Sequence, residues 1–169
     1  MGYTTEFKNS FKLNKKLDKD TKFILDKLAT TRRMARRVGS EYGIEGEFYF
    51  EDDEHDTYFQ NPSTNIIDDN KPPSSQPSLW LQWIPTKDGK SIRWDGNEKF
   101  YKYVEWLEYL LRRILLPRGY YLSGIVKFQG EDDDDRGTIE VNIQSEEDVM
   151  KCMLSDEPIV KKYYSNQVY

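Results

Sequence analysis

All four tryptophans, Trp80, Trp83, Trp94 and Trp106, fall between Gln76 and Trp106. Residues 79–84 read as a strand. Alternation then puts Leu79, Leu81 and Trp83 on one side and Trp80, Gln82 and Ile84 on the other. With Trp83 turned to the core, Trp80 and Gln82 face the open side. Gln129, near the end of its own predicted strand, can join them, with Glu131 close by. A ring beside amide and carboxylate groups suits a flat polar ligand such as a nucleobase, which stacks on the ring and offers its edge to the amides. Trp80, Gln82, Gln129 and Glu131 are therefore the candidate ligand- or partner-binding residues. The plain alternative is that the tryptophans only pack, with Trp80 under a long loop.

Acid–base chemistry would draw on Glu98, Glu105 and Glu131, with Arg33 as an anion binder. That is a hydrolase reading, for a nucleotide or ADP-ribose-like substrate. Each group also has a plain explanation. Asp95 and Glu98 form a D-x-x-E helix start resembling a capping box. Glu105 lies nearly opposite an apolar stripe and should be solvated. Arg32, Arg33, Arg36 and Arg37 cluster near a predicted helix C-terminus, where positive charge needs no partner. No residue is assigned a catalytic role.

Metal and cofactor chemistry finds little footing. One Cys and one His exclude a disulfide framework and a zinc site built only from those types. The acidic runs Glu51–Asp56, with His55, and Asp132–Asp135 match no oxygen-ligand loop and read as solvated surface. No Gly-rich phosphate loop and no G-x-S-x-G elbow occurs. We expect no cofactor and no metal. A third reading, an acidic mimic of nucleic acid, fits less well because the acids gather in two loops rather than along a helix face.

The 169 residues suit one domain. Twenty-five basic and 30 acidic residues give a net charge of −5, which argues against nucleic acid as a partner. No apolar run approaches the roughly 20 residues needed to span a bilayer. The N-terminal run carries Glu6, Lys8 and Lys12 and is neither a signal core nor a transit peptide. The expectation is a soluble, cytoplasmic protein (host cytoplasm if viral) whose partner is a protein or a small polar ligand, with no membrane role. Its oligomeric state is left open.

The elements that must position these residues follow from periodicity. Tyr3, Thr5, Phe7, Phe11 and Leu13 share one parity, which predicts a half-buried strand. Asp18 caps a helix from about Lys19 to Thr31, extendable to Arg37. Ile44–Phe50 reads as a second strand. Residues 51–76 read as a mobile acidic, Pro-rich loop, with a short strand at 65–68. Residues 79–84 and 92–94 form a hairpin. The best helix starts at Asp95, carries Phe100, Tyr103, Val104, Leu107, Leu110, Leu111 and Ile114 as its apolar stripe, and ends at Pro117 and Gly119. A second hairpin spans Tyr120–Gln129 and Thr138–Ile143. Ser145 caps a last helix to Leu154, and the tail to Tyr169 looks loosely held. The predicted fold is α+β, a two-layer sandwich with a mainly antiparallel sheet and two main helices on one face. Residues 1–144 make the domain and 145–169 a C-terminal extension.

Several segments carry a resemblance: QPSLWLQWIPTKDG (76–89), WDGNEKFYKYVEWLEYL (94–110), the Gln129-Gly130-Glu131-Asp132 motif and Thr31-Arg32-Arg33-Met34. On these the chain resembles a family of uncharacterised proteins found in bacteria, phages and large DNA viruses. The likeness covers most of Met1–Ile143. It implies a single domain with the segment from Ser145 as an addition, and it implies no established activity. Ile125 and Lys127 stand where acidic residues would be expected in that family.

Overall fold

The structure, a computed structural model, describes residues 2–50 and 65–165. In chain order these hold β1 (Glu6–Lys8), β2 (Phe11–Leu13), α1 (Lys19–Thr30), β3 (Ala35–Arg36), β4 (Ile66–Asp68), β5 (Trp83–Pro85) and β6 (Ser91–Trp94). Then come α2 (Tyr103–Tyr109), β7 (Leu122–Gln129), β8 (Arg136–Asn142), α3 (Glu146–Leu154) and β9 (Lys161–Tyr164). Seven strands form one sheet in the order β5-β6-β2-β7-β8-β9, with β1 also paired to β7; β3 and β4 form a separate ribbon. Every described pairing is antiparallel. The fold is thus α+β with a mainly antiparallel sheet, as expected.

The alternating N-terminal run becomes two strands, not one. Asn9, with φ of 80°, interrupts it. Both halves still pair with β7, Phe7 opposite Phe128 and Leu13 opposite Leu122. Gly124 of β7 lies at the break with φ of 144°, and a Cβ there would stand 3.1 Å from the Ser10 carbonyl oxygen. Only glycine tolerates both constraints. Phe7 then centres an aromatic cluster, its ring 5.1 Å from Trp83, 5.4 Å from Trp94 and 5.0 Å from Tyr103, all edge-on.

Asp18 caps α1 as expected, accepting from the Thr21 N–H at 2.7 Å. Its other oxygen accepts from the Tyr120 hydroxyl at 2.7 Å, tying the helix start to the approach to β7. α1 stops at Thr30, short of Arg37, because Thr31 is already extended and the Arg33 N–H donates to the Leu79 carbonyl. Those bonds to Asp18, first that from the Thr21 N–H and then that from Tyr120, lower its pKa to about 2. A depressed carboxylate stabilises the fold above its unfolded pKa, and that contribution fades as pH falls through the folded one. Asn keeps the capping oxygen but does not titrate. Asp18→Asn should therefore be most destabilising near neutral pH, and the gap from wild type should close between pH about 4 and about 2. Denaturant midpoints across that range check it, and a constant gap would refute it.

Three expected elements differ. The long helix does not begin at Asp95. Asp95 instead accepts from the backbone and side-chain nitrogens of Asn97 at 2.8 and 2.9 Å, a local turn that competes with helix entry. α2 starts only at Tyr103, after Lys102 in the left-handed region. It widens to π spacing over Leu110–Leu115 and tightens at Leu116–Arg118 before Gly119. The apolar stripe survives, with Leu107, Leu110 and Leu111 fully buried. Ile44–Phe50 is not a strand. Gly43 and Gly46 both have φ near 80° (79° and 78°), and the chain turns at Ser40–Tyr42 and Ile44–Gly46. Nor is the tail loose where it is described. Ile159 and Val160 are buried, β9 pairs with β8, and the Lys162 ammonium lies 4.7–4.9 Å from the rings of Tyr103, Phe128 and Tyr164.

α3 follows the Ser145 cap as expected. Most of the expected mobile loop, 51–64, lies outside the described residues. Its described end is pinned, with β4 on β3 and Gln76 buried. No helix among the described residues is long and apolar enough to cross a membrane.

Candidate functional site

Residues 79–82 are not strand, since β5 begins at Trp83. The alternation nevertheless holds for the large side chains. Leu81 and Trp83 are buried at 1% exposure, while Trp80 is 43% exposed. Trp80 borders a hollow of about 530 Å³. Its other walls are Ala29 and Thr30 at the end of α1, Leu81, Gln82 and Ile84 beside it, and Asp95, Asn97 and Glu98 from the turn after β6. That volume is in the range that encloses a small ligand.

The four indole N–H groups separate the rings. Trp83 donates to the Tyr103 carbonyl at 2.8 Å and Trp106 to the Ser78 hydroxyl at 2.7 Å. Trp94 donates to the Gln82 side-chain oxygen and the Asn97 carbonyl, both at 3.1 Å. The Trp80 indole N–H has no hydrogen-bond partner among the described residues, although its carbonyl accepts from the Ser78 hydroxyl at 3.3 Å. Three indoles are held by the fold; the fourth, Trp80, is the exposed one.

Gln82 shares the hollow but is itself buried. Its oxygen takes the Trp94 indole, and its nitrogen donates to the Glu98 carbonyl at 2.9 Å. The amide holds the 94–98 wall in place instead of reading a ligand. The polar edge of the hollow is supplied by Asp95, Asn97 and Glu98. The Glu98 carboxylate makes no hydrogen bond or ion pair among the described residues, and Asp95 retains acceptor capacity beyond its Asn97 turn. These groups favour a ligand that presents hydrogen-bond donors.

Gln129 and Glu131 do not reach this hollow. Between β5 and β7 stand β6 and β2. Gln129 donates to the carbonyls of Gly130 and Asp132 at 3.0 and 3.2 Å, shaping the acidic turn. It lines a different depression, of about 300 Å³, with Glu6, Lys8, Lys127 and Arg136. Glu131 accepts from the Thr4 N–H at 2.7 Å, and the Tyr3 hydroxyl donates to Asp135 at 2.7 Å. The acidic turn thereby braces the N-terminus. Alternation alone placed Gln82 and Gln129 on one side of the sheet, but says nothing about the strands between them.

Arg33 is not an anion site. Its guanidinium is 1% exposed and donates to the Gln76 side-chain oxygen (3.2 Å) and to the carbonyls of Tyr49 (3.0 Å), Gly46 (3.3 Å) and Glu47 (2.7 Å). A solvated arginine near a helix end was expected. Because α1 ends early, the side chain is carried inward under the 40–50 turns.

Beside it lies a polar cluster that sequence reasoning missed. The Glu47 carboxylate accepts from Arg113 (2.5 Å), the Tyr109 hydroxyl (2.7 Å), Ser75 (3.0 Å) and the Ile44 N–H (3.3 Å). Burial alone would raise the Glu47 pKa; Arg113, Tyr109 and the other donors outweigh it and hold the group below the usual carboxylate range. Burial pushes the Tyr109 phenol up. Every oxygen and nitrogen here is spoken for, so the cluster fastens the 40–50 and 71–76 segments to the long helix. The one signal in the sequence is a Glu directly before an aromatic run, Glu47 before Phe48-Tyr49-Phe50.

Of the three acids considered for catalysis, Glu98 borders the Trp80 hollow. Glu105 is half exposed on α2, 4.0 Å from Lys102, and Glu131 is on the hairpin turn. They belong to three elements and no contact joins them. Among the described residues no group of three or more His, Cys, Asp or Glu side chains is placed to hold a metal ion. No family model, no curated protein and no solved structure matches the chain.

Proposed function

We propose that the protein is a non-enzymatic binding module that receives a flat, donor-bearing group in the Trp80 hollow: a nucleotide-like small molecule, or a side chain of a protein partner. The observation that carries this reading is the state of Trp80, 43% exposed over a hollow of about 530 Å³, with its indole N–H unspent. A half-exposed tryptophan presents a broad ring face on which a flat group can stack. Asp95 and Glu98, which line the same hollow, favour bases with exocyclic amino groups over uracil.

A panel of nucleosides tests it. Adenosine, cytidine and guanosine should quench Trp80 fluorescence more strongly than uridine. Trp80→Ala should weaken binding by about 1–3 kcal/mol, the usual worth of a base–aromatic stack. Binding unaffected by Trp80→Ala, or no response to any nucleoside at millimolar concentration, would remove the nucleotide-like reading. The hydrolase alternative has less support, because Glu98, Glu105 and Glu131 belong to separate elements.

A further inference from the structure

One face of the seven-stranded sheet carries charge of the opposite sign to the whole chain; at its β8–β9 end Lys151 of α3 and Glu157 border it beside Glu140 and Lys161. Alternation from the buried residues of each strand assigns it Arg93 of β6, Lys12 of β2, Lys8 of β1, Lys127 of β7, Arg136 of β8 and Lys161 of β9. Only two acids, Glu6 and Glu140, share these strands' outer positions. Lys8, Lys12, Lys127 and Lys161 are exposed and have no ion-pair partner among the described residues. The register makes the arrangement sharper. Lys8 stands directly opposite Lys127, and the row continues through Thr138 to Tyr163. Like charges facing each other across strands cost stability. Here the cost is not offset by any carboxylate at hydrogen-bond distance.

The same face holds two exposed apolar groups, Ile125 and Tyr163, at 50% and 53%. Ile125 is next to Lys127 along the face, and Tyr163 ends the lysine row. Thr138 separates Lys127 from Tyr163, and Glu140 separates Ile125 from Lys161. The face spans five paired strands from β6 to β9, about 19 Å at the usual strand spacing. Lysines tracking a backbone, with a ring and an aliphatic chain among them, suit a single-stranded polynucleotide: phosphates meet the ammonium groups and bases stack on the apolar platform. An acidic peptide would use the ammonium groups but leave Tyr163 and Ile125 unused, whereas a strand of nucleotides uses both.

We infer that this face, centred on the opposed Lys8–Lys127 pair, is a docking surface for a single-stranded nucleic acid. The net charge of −5 conceals it because many of the acids gather elsewhere, seven within residues 51–69 and five in the 131–135 turn. The inference is independent of the Trp80 hollow, which lies at the β5 edge.

Fluorescence anisotropy of the full chain with labelled oligo-dT and oligo-U, each about 12 nucleotides, tests it. Both should bind at about 50 mM salt, with log K falling at a slope near −3 for about four phosphate contacts. The Lys8→Gln/Lys127→Gln double variant should lose at least about tenfold in affinity and flatten that slope by about 1 to 1.5. Its melting temperature should equal or exceed that of wild type, because the opposed charges are gone. It should still bind nucleosides in the Trp80 hollow, whereas Trp80→Ala should keep the oligonucleotide salt slope. Stronger binding of oligo-U than of oligo-dT would identify RNA as the preferred strand, and the reverse DNA. Absence of binding at low salt, an unchanged affinity in the double variant, or equal displacement by a poly-glutamate peptide would overturn the inference.

Discussion

Trp83→Ala should lower the stability of the domain by about 3–5 kcal/mol. Its ring is 1% exposed and meets Phe7, Phe11 and Phe100 edge-on at 5.1, 5.7 and 5.3 Å. Truncation opens a cavity at the meeting point of β1, β2 and β5, and also removes the indole hydrogen bond that ties it to the Tyr103 carbonyl at the start of α2. Trp80→Ala, three residues away, should cost less than about 1 kcal/mol, because its ring is nearly half exposed and its N–H bonds nothing among the described residues. Denaturant unfolding of the two variants in parallel reads the difference. Equal losses, or a larger loss for Trp80→Ala, would place the candidate site on the wrong ring.

Arg33→Met should be comparably damaging, about 3–5 kcal/mol. The substitution keeps apolar bulk but strips donors from three backbone carbonyls and from Gln76, and each buried acceptor left bare costs about 1–3 kcal/mol. Arg33→Lys should recover little, because one ammonium cannot reproduce the planar fork that spans these acceptors. Hydrogen exchange should show the loss concentrated in residues 40–50, whose turns hang on this guanidinium. If Arg33→Met melted like wild type, the side chain would be dispensable to the fold and the anion-binding reading would return.

These two contrasts show what periodicity can and cannot reveal. The side of the chain on which Trp80 and Trp83 lie was readable from alternation, even though residues 79–82 never become strand. The Asp18 and Ser145 caps and the second hairpin were readable because each is a local competition among neighbouring backbone groups. Features that depend on distant partners were not. Asp95 and Glu98 have the spacing of a helix start, yet Gly96 with φ of 88° and the Asn97 turn delay α2 to Tyr103. Gly43 and Gly46 turn an apolar run that otherwise reads as strand. Arg33 and Glu47 look like surface charges until the fold buries them together with Gln76 and Tyr109. Gln129 shares a parity with Gln82 but not a location, because strand order is a property of the whole chain. Charge behaves in the same way: Lys8 and Lys127 are 119 positions apart and become neighbours only through the β1–β7 register.

The central claim, that Trp80 alone among the four tryptophans is held available for a ligand, is tested most directly by the indole N–H resonances. In a two-dimensional ¹H–¹⁵N spectrum, titration with adenosine should move the Trp80 signal and broaden or shift the amides of Asp95 to Glu98. The Trp83 and Trp106 signals, locked on Tyr103 and Ser78, should stay fixed. Before titration, the Trp80 N–H should also exchange with solvent fastest of the four. A Trp80 signal that is protected from exchange and indifferent to every nucleoside would contradict the account.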